Sequence, residues 1–491
     1  MATSTPCHGF NRACIQHSFS LVAYVRPHPN DLYPVAAAAG ITLAATAVQC
    51  HTTTAQAKDS SRNAARGAHA RHPSRARRRD CAPPRQPSAG GRVVTRHDSR
   101  TRLAISPDLV VIGAGIVGAA CAYYATQAGL SVAVVDRGPI AGGTTGAGEG
   151  NILVSDKELG PELDLALLSN QQWRALADLP LDGTTFGRAV ELETKGGLVV
   201  ATGQAPLEVM QRLTGKQQAL GVEALAVPAH ELHEHEPHLA DDLAGGYLYP
   251  QDMQVQPMLA TAHLLRLARR GGATVLPHQP VTGYLRDGDR VVGVRTPQGD
   301  ISSGAVLNAA GTWAGELAAL AAVRVPVAPR RGFILVTEPL PPIIRHKVYL
   351  TDYIGDVASD SAALQTSAVV EGTRAGTVLI GASRERVGFD HTFSPAALGA
   401  LAHGAVRLFP SLAGVSAIRA YHGFRPYCPD HLPVIGPDPR APGLYHACGH
   451  EGAGIGLSMG TGLLIAQALT GGPPDIDLHP FRPDRFTEAS A

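Results

Sequence analysis

"SPDLVVIGAGIVGAACAYYATQAGLSVAVVDRG", residues 106–138, decides the fold. "DLVVIG" reads as a short buried strand, and "SVAVVD" as a second. Between them Gly113, Gly115 and Gly118 make G-x-G-x-x-G. The spacing predicts a helix over 116–127, stopped at Gly129. Asp136 ends the second strand, 23 residues after Gly113. Each residue type has a physical task. Gly113 permits the tight turn, Gly115 lets the backbone approach a pyrophosphate, and Gly118 lets helix and strand pack closely. The first helical turn, with Ile116 and Val117, offers free N–H groups and a partial positive charge to phosphates. Asp136 can accept hydrogen bonds from ribose hydroxyls, and Arg137 beside it joins the expected cofactor-binding set. A lone glycine fingerprint is weak, but here strand, helix, strand and acid fall in register. The expected fold class is α/β, with a Rossmann-like dinucleotide-binding domain. The fingerprint alone does not separate a nicotinamide from a flavin.

Working outward, "GPIAGGTTGAGEGNILV" (residues 138–154) holds six glycines and runs into an apolar strand. Such a loop can wrap a large ligand with backbone N–H groups. Thr144, Thr145 and Gly150 belong to it, and Asn151 can hydrogen-bond a ring edge. "DISSGAVLNAAGTWAGELAAL" (300–320) reads as strand, turn and helix. Ala310 and Gly311 leave room for a cofactor against the backbone, with Trp313 either beside it or in the core. "GLYHACGHEGAGIGLSMGTGLLIAQALTGG" (443–472) repeats that order, with a helix over about 455–469. Gly452, Gly454 and Gly456, around Ile455, keep the helix N-terminus free of side-chain bulk. A reduced flavin carries negative charge along its N1–C2=O edge, which a helix N-terminus stabilises. A nicotinamide has no such need, so these stretches point to FAD.

Together, "VVIGAGIVGAACAYYATQAGLSVAVVDRG", "GGTTGAGEGN", "VLNAAGTWA" and "GFRPYCPDHLPVIGP…CGHEGAGIGLSMGTG" resemble the D-amino-acid oxidase (DAO) family of flavoproteins over residues 106–472. "GGTTGAGEGNILVSDK" is most similar to the hydrogen-cyanide-synthase and D-hydroxyproline-dehydrogenase type, with glycine and sarcosine oxidases close by. The resemblance implies two lobes. A discontinuous FAD-binding lobe would come from residues 105–187, 250–322 and 421–475, with Val281 touching the adenine side through its backbone. A mainly β-sheet substrate lobe of α+β type would come from 188–249 and 323–420. Residues 476–491 read as a C-terminal tail. "GGLVVAT", "GFILVTEP" and "GTVLIGAS" read as its strands by their Val, Ile and Leu content. Cys428 sits at the wrong offset for the covalent attachment of some sarcosine oxidases, so the expected FAD is non-covalent.

Within "HGFRPYCPDHLPVIG" (422–436) a permanent cation sits in an apolar, turn-forming stretch. Arginine suits the need to orient an amino acid, because its planar guanidinium grips a carboxylate bidentately and stays charged. The family's G-x-R-P pattern matches Gly423-Phe424-Arg425-Pro426, which implies that Arg425 anchors the substrate carboxylate. The competing reading pairs Arg425 with a local acid such as Asp430. His450 is a candidate catalytic residue that, like His422 and Tyr427, could polarise the substrate or flavin, with packing or hydrogen bonding as the favoured reading of each. Tyr427 and Tyr353 are candidate substrate contacts, with Tyr349 as a further pocket-closing residue. The expected reaction moves hydride from Cα to flavin N5 and gives an imine that hydrolyses. The substrate would be a small amino or imino acid, and the acceptor oxygen, a quinone or a protein. A 2-hydroxy-acid dehydrogenase and a flavin subunit of a larger complex are the alternatives.

Charge is unevenly distributed. Residues 1–102 carry 15 Lys/Arg against 4 Asp/Glu, whereas the remainder carries 27 against 37. "GAHARHPSRARRRDCAPPRQPSAGGR" has few large apolar residues and cannot offset its ordering entropy. Residues 1–104 therefore read as a disordered basic tail or as sequence upstream of the true start, since no Met separates Met1 from Met210. "VAAAAGITLAATAV" is too short to span a bilayer, and no later stretch reads as a transmembrane span. The expected location is cytoplasmic, with peripheral membrane attachment as the alternative. Seven cysteines without a CxxC pair give no zinc or disulfide framework. "HELHEHEPH" (230–238) lacks the H-E-x-x-H order and reads as a solvated helix end, so no metal is expected. The pairs Arg269–Arg270 and Arg330–Arg331 are too sparse for a nucleic-acid surface and read as solvated charge, with a role of Arg330 or Arg331 in substrate or partner binding as the alternative.

Overall fold

The computed structural model describes residues 105–357 and 359–486. The expectations for residues 1–104 lie outside the described residues. The strand Leu109–Ile112 is buried on both faces, so it needs cover on both sides. It pairs in parallel with Val132–Val135 and with Ala305–Asn308. The six-stranded sheet runs Thr274–Leu276, Val132–Val135, Leu109–Ile112, Ala305–Asn308, Leu444–Cys448, Val434–Pro437. Only the last is antiparallel to its neighbour. One face packs on the helices Ile116–Gln127, Pro257–Arg270 and Gly454–Thr470. The other is covered by the helix Ala314–Leu320 and a three-stranded sheet over residues 283–302.

Two glycines make the first turn possible. Gly113 has φ +115°, and an added Cβ there would lie 2.3 Å from the Ala309 carbonyl oxygen. A Cβ on Gly118 would lie 2.0 Å from the Gly113 oxygen. Helix and strand therefore meet backbone to backbone.

The segment Glu451–Thr470, with a hydropathy of 1.4, is among the described residues the one helix long and apolar enough to cross a bilayer. Its composition has a local cause, because it packs between the helices Ile116–Gln127 and Pro161–Ala177.

The second lobe is an eight-stranded, mostly antiparallel sheet. Its order is Ala417–Tyr427, Ala328–Thr337, Val378–Arg384, Gln365–Gly372, Lys347–Leu350, Gly197–Ala201, Gly245–Tyr249, Leu225–Pro228. The three stretches read as strands by their aliphatic content all lie in it. Its outer face packs on the helix Pro395–Leu408 through Phe333, Leu335 and Leu401. Alternation along Ala328–Thr337 turns Gly332 and Ile334 to the other face, toward the nucleotide-binding lobe.

Several expectations are corrected. Residues 421–427 belong to the eight-stranded sheet, because Ala417–Tyr427 forms a continuous ladder with Ala328–Thr337. Residues 476–486 are packed rather than a free tail: Phe481 is fully buried, and Arg485 bonds Asp430 at 2.6 Å and the Leu432 oxygen at 2.7 Å. Within 230–238, Glu236 is fully buried and accepts from the Arg345 N–H at 2.9 Å. Arg330 and Arg331 are buried, not solvated, because both lie on a strand covered on both faces. Among the described residues no three His, Cys, Asp or Glu side chains gather as a metal site.

Candidate active site

Between the six-stranded sheet and the inner face of the eight-stranded one lies a cavity of about 500 Å³. Two helix N-termini open on it. Gly115 precedes the helix Ile116–Gln127 and Ala453 precedes Gly454–Thr470, and neither N-cap residue caps its helix with a side chain or is followed by an acid in the first turn; at the first end only the Ile116 N–H is taken, by Thr145 Oγ1. Uncapped N–H groups present partial positive charge. Gly115, Ile116 and Val117 line the cavity at the first end, and Gly452, Gly454 and Ile455 at the second. Gly118 and Gly456 do not. Gly118 serves the helix–strand contact, and a Cβ on Gly456 would meet the Asn151 oxygen at 3.3 Å.

Asp136 and Arg137 line the same cavity. The Asp136 carboxylate already accepts from the Ala114 and Gly138 N–H groups, each at 2.7 Å, and each oxygen keeps a further lone pair. The Arg137 guanidinium lies 3.7 Å from the Trp313 ring centre, and Phe389 stacks near Trp313 with an interplanar angle of 4°. Trp313 is thus a cavity wall, not a core residue. Val281, Ala310 and Gly311 complete that end.

The glycine-rich loop closes one side. Thr145 Oγ1 accepts from the Ile116 N–H at 3.1 Å, and Thr144 Oγ1 donates to the Phe424 oxygen at 2.6 Å. Gly150 has φ +106°, and a Cβ there would lie 1.9 Å from the Val255 oxygen. Asn151 lines the cavity, donates to Glu149 Oε2 at 2.9 Å and accepts from Lys347, which leaves one amide N–H of its two.

The arrangement fits FAD. Two helix N-termini, a bare glycine floor and the Asp136 carboxylate share one cavity, although residues 112 and 455 bound it in sequence. Gly115, Ile116 and Val117 would meet the phosphates, Asp136 a ribose, and residues 452–455 the ring system.

Arg425 reaches into the cavity from the strand Ala417–Tyr427. Its Nη1 donates to the Ser383 oxygen at 2.8 Å. An added Cβ on Gly332 would lie 2.0 Å from that Nη1, and one on Gly452 3.4 Å from Nε. The missing side chains make its berth. Asp430 pairs with Arg485, and among the described residues no carboxylate pairs with Arg425. Burial, Arg384 and Arg330 lower its pKa, against Tyr353 and Glu149.

Other expected residues have different places. His450 lines the cavity but is buried, with Nε2 3.0 Å from Thr461 Oγ1. Burial pushes its pKa down to about 3, so the ring is neutral, as suits a packing or hydrogen-bonding residue. Tyr427 does not line the cavity; its hydroxyl donates to Asp360 at 2.9 Å. Tyr349 is fully buried beside Ser155. Tyr353 does line the cavity.

The structure adds residues that the motifs did not single out. The Glu149 side chain is 7% exposed, lines the cavity, and leaves Oε1 without a hydrogen-bond partner. Its signal was an acid inside a glycine-rich loop. Glu451 holds a positive φ of 46° and lies 3.4 Å from Arg330 Nη1.

Comparison with known proteins agrees with this geometry. Residues 108–468 match the DAO family, described as FAD dependent oxidoreductase. The hydrogen cyanide synthase subunit HcnC of Pseudomonas aeruginosa is 30% identical, the match covering 77% of this chain and 96% of that protein. A glycine oxidase of the same species is 30% identical over 77% of this chain and 99% of its own. The crystal structure of glycine oxidase from Geobacillus kaustophilus matches with a TM-score of 0.70 at 26% identity, over 78% of this chain and 99% of that one. A nucleotide cradle built from four separated segments, set against an arginine-bearing sheet and matched over most of its length, makes this chain a member of the DAO family of FAD-dependent oxidoreductases.

Proposed function

We propose that the protein oxidises the C–N bond of a small amino or imino acid. The observation that carries this reading is Arg425, a cation on the cavity wall with one donor spent on the Ser383 oxygen and no acid partner among the described residues. A guanidinium has five N–H donors, so enough remain to grip a carboxylate bidentately. Gly332 and Gly452 give the guanidinium its room, since a side chain at either would press on it. Bound FAD supplies the hydride acceptor. The chain's own residues orient the substrate: Arg425 holds the carboxylate, while Ile334, Tyr353 and Phe424 form apolar or aromatic walls that exclude water. The imine product hydrolyses after release.

Glu149 Oε1 has no hydrogen-bond partner and shares the cavity with Arg425, so it can accept an N–H from a substrate amine, while its Oε2 already meets Asn151 and Lys347. Similarity to a glycine oxidase supports the same substrate class. Non-covalent FAD is supported by burial of Cys121, Cys428 and Cys448, which raises the thiol pKa, to about 12 at Cys448. A second reading, a flavin subunit working with partners, rests on similarity to a protein named as a subunit.

Anaerobic flavin bleaching tests the proposal, across glycine, sarcosine, D-amino acids, D-hydroxyproline and 2-hydroxy acids. Bleaching by amino or imino acids is expected. Bleaching by hydroxy acids alone overturns it. Reoxidation by oxygen, against an artificial acceptor, then separates an oxidase from a dehydrogenase or a dependent subunit.

A further inference from the structure

Two buried carboxylates share one buried ammonium beside the cavity. Lys347 Nζ lies 3.1 Å from Glu371 Oε2 and 3.8 Å from Glu149 Oε2. Asn151 joins the group, donating to Glu149 Oε2 and accepting from Lys347. The nearby Lys195 is spent on Glu193, at 3.3 Å. The cluster thus holds one negative charge more than it balances, and burying an uncompensated charge is costly. Each carboxylate also keeps one buried oxygen without a hydrogen-bond partner, Oε1 in both cases. Of the two acids only Glu149 lines the cavity. Glu451 lines it too, but its oxygens meet Arg330 and His431.

Glu149 stands close to the substrate's expected anchor. A Cβ on Gly381 would lie 1.8 Å from Glu149 Oε1, just as one on Gly332 would press on Arg425 Nη1. Ser383, whose oxygen accepts from Arg425, comes two residues after Gly381 in the strand Val378–Arg384. One strand therefore seats a cation and an anion that form no ion pair with each other among the described residues. Separate seats of opposite charge suit a zwitterion, its carboxylate at Arg425 and its ammonium at Glu149. An ammonium has no lone pair with which to expel hydride from Cα, so a proton must leave first. The other titratable groups around Glu149 are poor acceptors for it. Lys347 and Arg425 are cations, Glu371 does not line the cavity, and Tyr353 and Tyr421 are phenols, the second pushed up by burial and by Glu149.

We propose that Glu149 is a catalytic residue, the base that takes the proton of the substrate ammonium on Oε1. This rests on the proposed function and adds a proton acceptor to it. The N–H bond breaks, an O–H bond forms on Glu149, and the electron pair stays on nitrogen. No electrons change hands in this step. The neutral amine then has the pair that forms the C=N bond as hydride departs. The proton on Glu149 returns to solvent after the product leaves.

The test follows anaerobic bleaching of FAD-loaded enzyme by the amino or imino acid that bleaches it fastest, as pH is varied. In the unmodified enzyme, the bleaching rate divided by the substrate's dissociation constant should stay flat from about pH 7 to about pH 9, because the protonated amine is used. Glu149→Gln should be slower by about 10²-fold at pH 7, and should gain about tenfold per pH unit, because it must wait for neutral amine. Glu149→Asp should keep the flat profile at a lower rate. A tenfold rise per unit in the unmodified enzyme overturns the proposal, and so does an equal loss at every pH in Glu149→Gln. Binding gives a second readout, with 2-aminoisobutyrate and pivalate, which lack a Cα–H and differ by ammonium against methyl. Calorimetry should show the amino acid bound about tenfold or more tighter, the range of one charged hydrogen bond, and the preference should vanish in Glu149→Gln. Absence of that preference in the unmodified enzyme also overturns the proposal. The unmodified enzyme decides both points even where Glu149→Gln fails to hold FAD. Bleaching with a rising pH profile sinks this inference alone, whereas absence of bleaching by every amino and imino acid sinks the proposed function.

Discussion

Arg425 joins the fold to the proposed chemistry at the scale of one residue. Replacing it with alanine removes the carboxylate anchor but none of the glycine turns that shape the nucleotide cradle. Arg425→Ala should therefore keep the visible flavin spectrum and lose about 10²–10³-fold in kcat/KM for carboxylated substrates, the range expected for deleting one partner of a buried charged pair. Arg425→Lys should recover only part of this, since an ammonium cannot make the forked contact. Unchanged reduction by amino acids would refute the anchor. His450 gives a prediction in pH. Its folded pKa of about 3 lies below the ordinary 6.5, so between those values the unfolded chain binds a proton that the native one refuses. Stability then falls as pH drops from about 6.5 to about 3, by about 1.4 kcal/mol per unit from this group, and is flat above. Replacing His450 with Gln should flatten that slope in urea melts without shifting the acid limb of kcat/KM; a shifted acid limb would restore a proton-transfer role. The difference between these residues shows what sequence could tell. Arg425 was legible because a lone cation in an apolar stretch is a local anomaly. The neutrality of His450 arises from burial against Thr461, which no local pattern reveals.

Elements were legible where the pattern was local. The turn around Gly113, the helix Ile116–Gln127 and the second glycine-rich helix follow from spacing alone, because glycine is required where backbone meets backbone. Gly115 and Gly118 then separate two uses of one motif. At Gly118 an added Cβ would sit 2.0 Å from a carbonyl oxygen, whereas at Gly115 it would meet only Thr145 Oγ1, at 3.1 Å. Gly115→Val should thus give a folded, colourless protein, because the side chain covers the amides offered to phosphate. Gly118→Val should fail to fold. Circular dichroism and flavin absorbance of both variants check this, and retention of tightly bound FAD by Gly115→Val would overturn the assignment. What sequence missed is pairing between distant strands. The boundary at residue 421 and the solvated reading of Arg330 and Arg331 failed for one reason: Ala328–Thr337 and Ala417–Tyr427 meet across some 90 residues of chain. Their ladder buries charges that a linear reading assigns to solvent.

For the whole molecule, the cavity draws on residues from 112 to 455 of the chain, so the cofactor links segments that the backbone leaves far apart. The loop over residues 138–151, the turn over 309–313 and the open end of the last helix each face the cavity, with few side chains of their own to fill it. A ligand that binds only the folded state stabilises it by mass action, by about 2.7 kcal/mol at a hundredfold excess over its dissociation constant. In a protein of this size that is a rise of roughly 2–3 °C in melting temperature. Deflavinated protein should melt lower than the yellow form, and added FAD should restore the midpoint in proportion to the logarithm of its concentration. Arg425→Ala should show the same FAD-dependent rise, since the anchor serves substrate and not cofactor, and Gly115→Val should show almost none. A midpoint indifferent to FAD in the unmodified chain would mean that the two open helix ends do not hold a dinucleotide. Loss of the rise in Arg425→Ala would mean that this residue supports the cofactor, and its role as the substrate's carboxylate anchor would have to be abandoned.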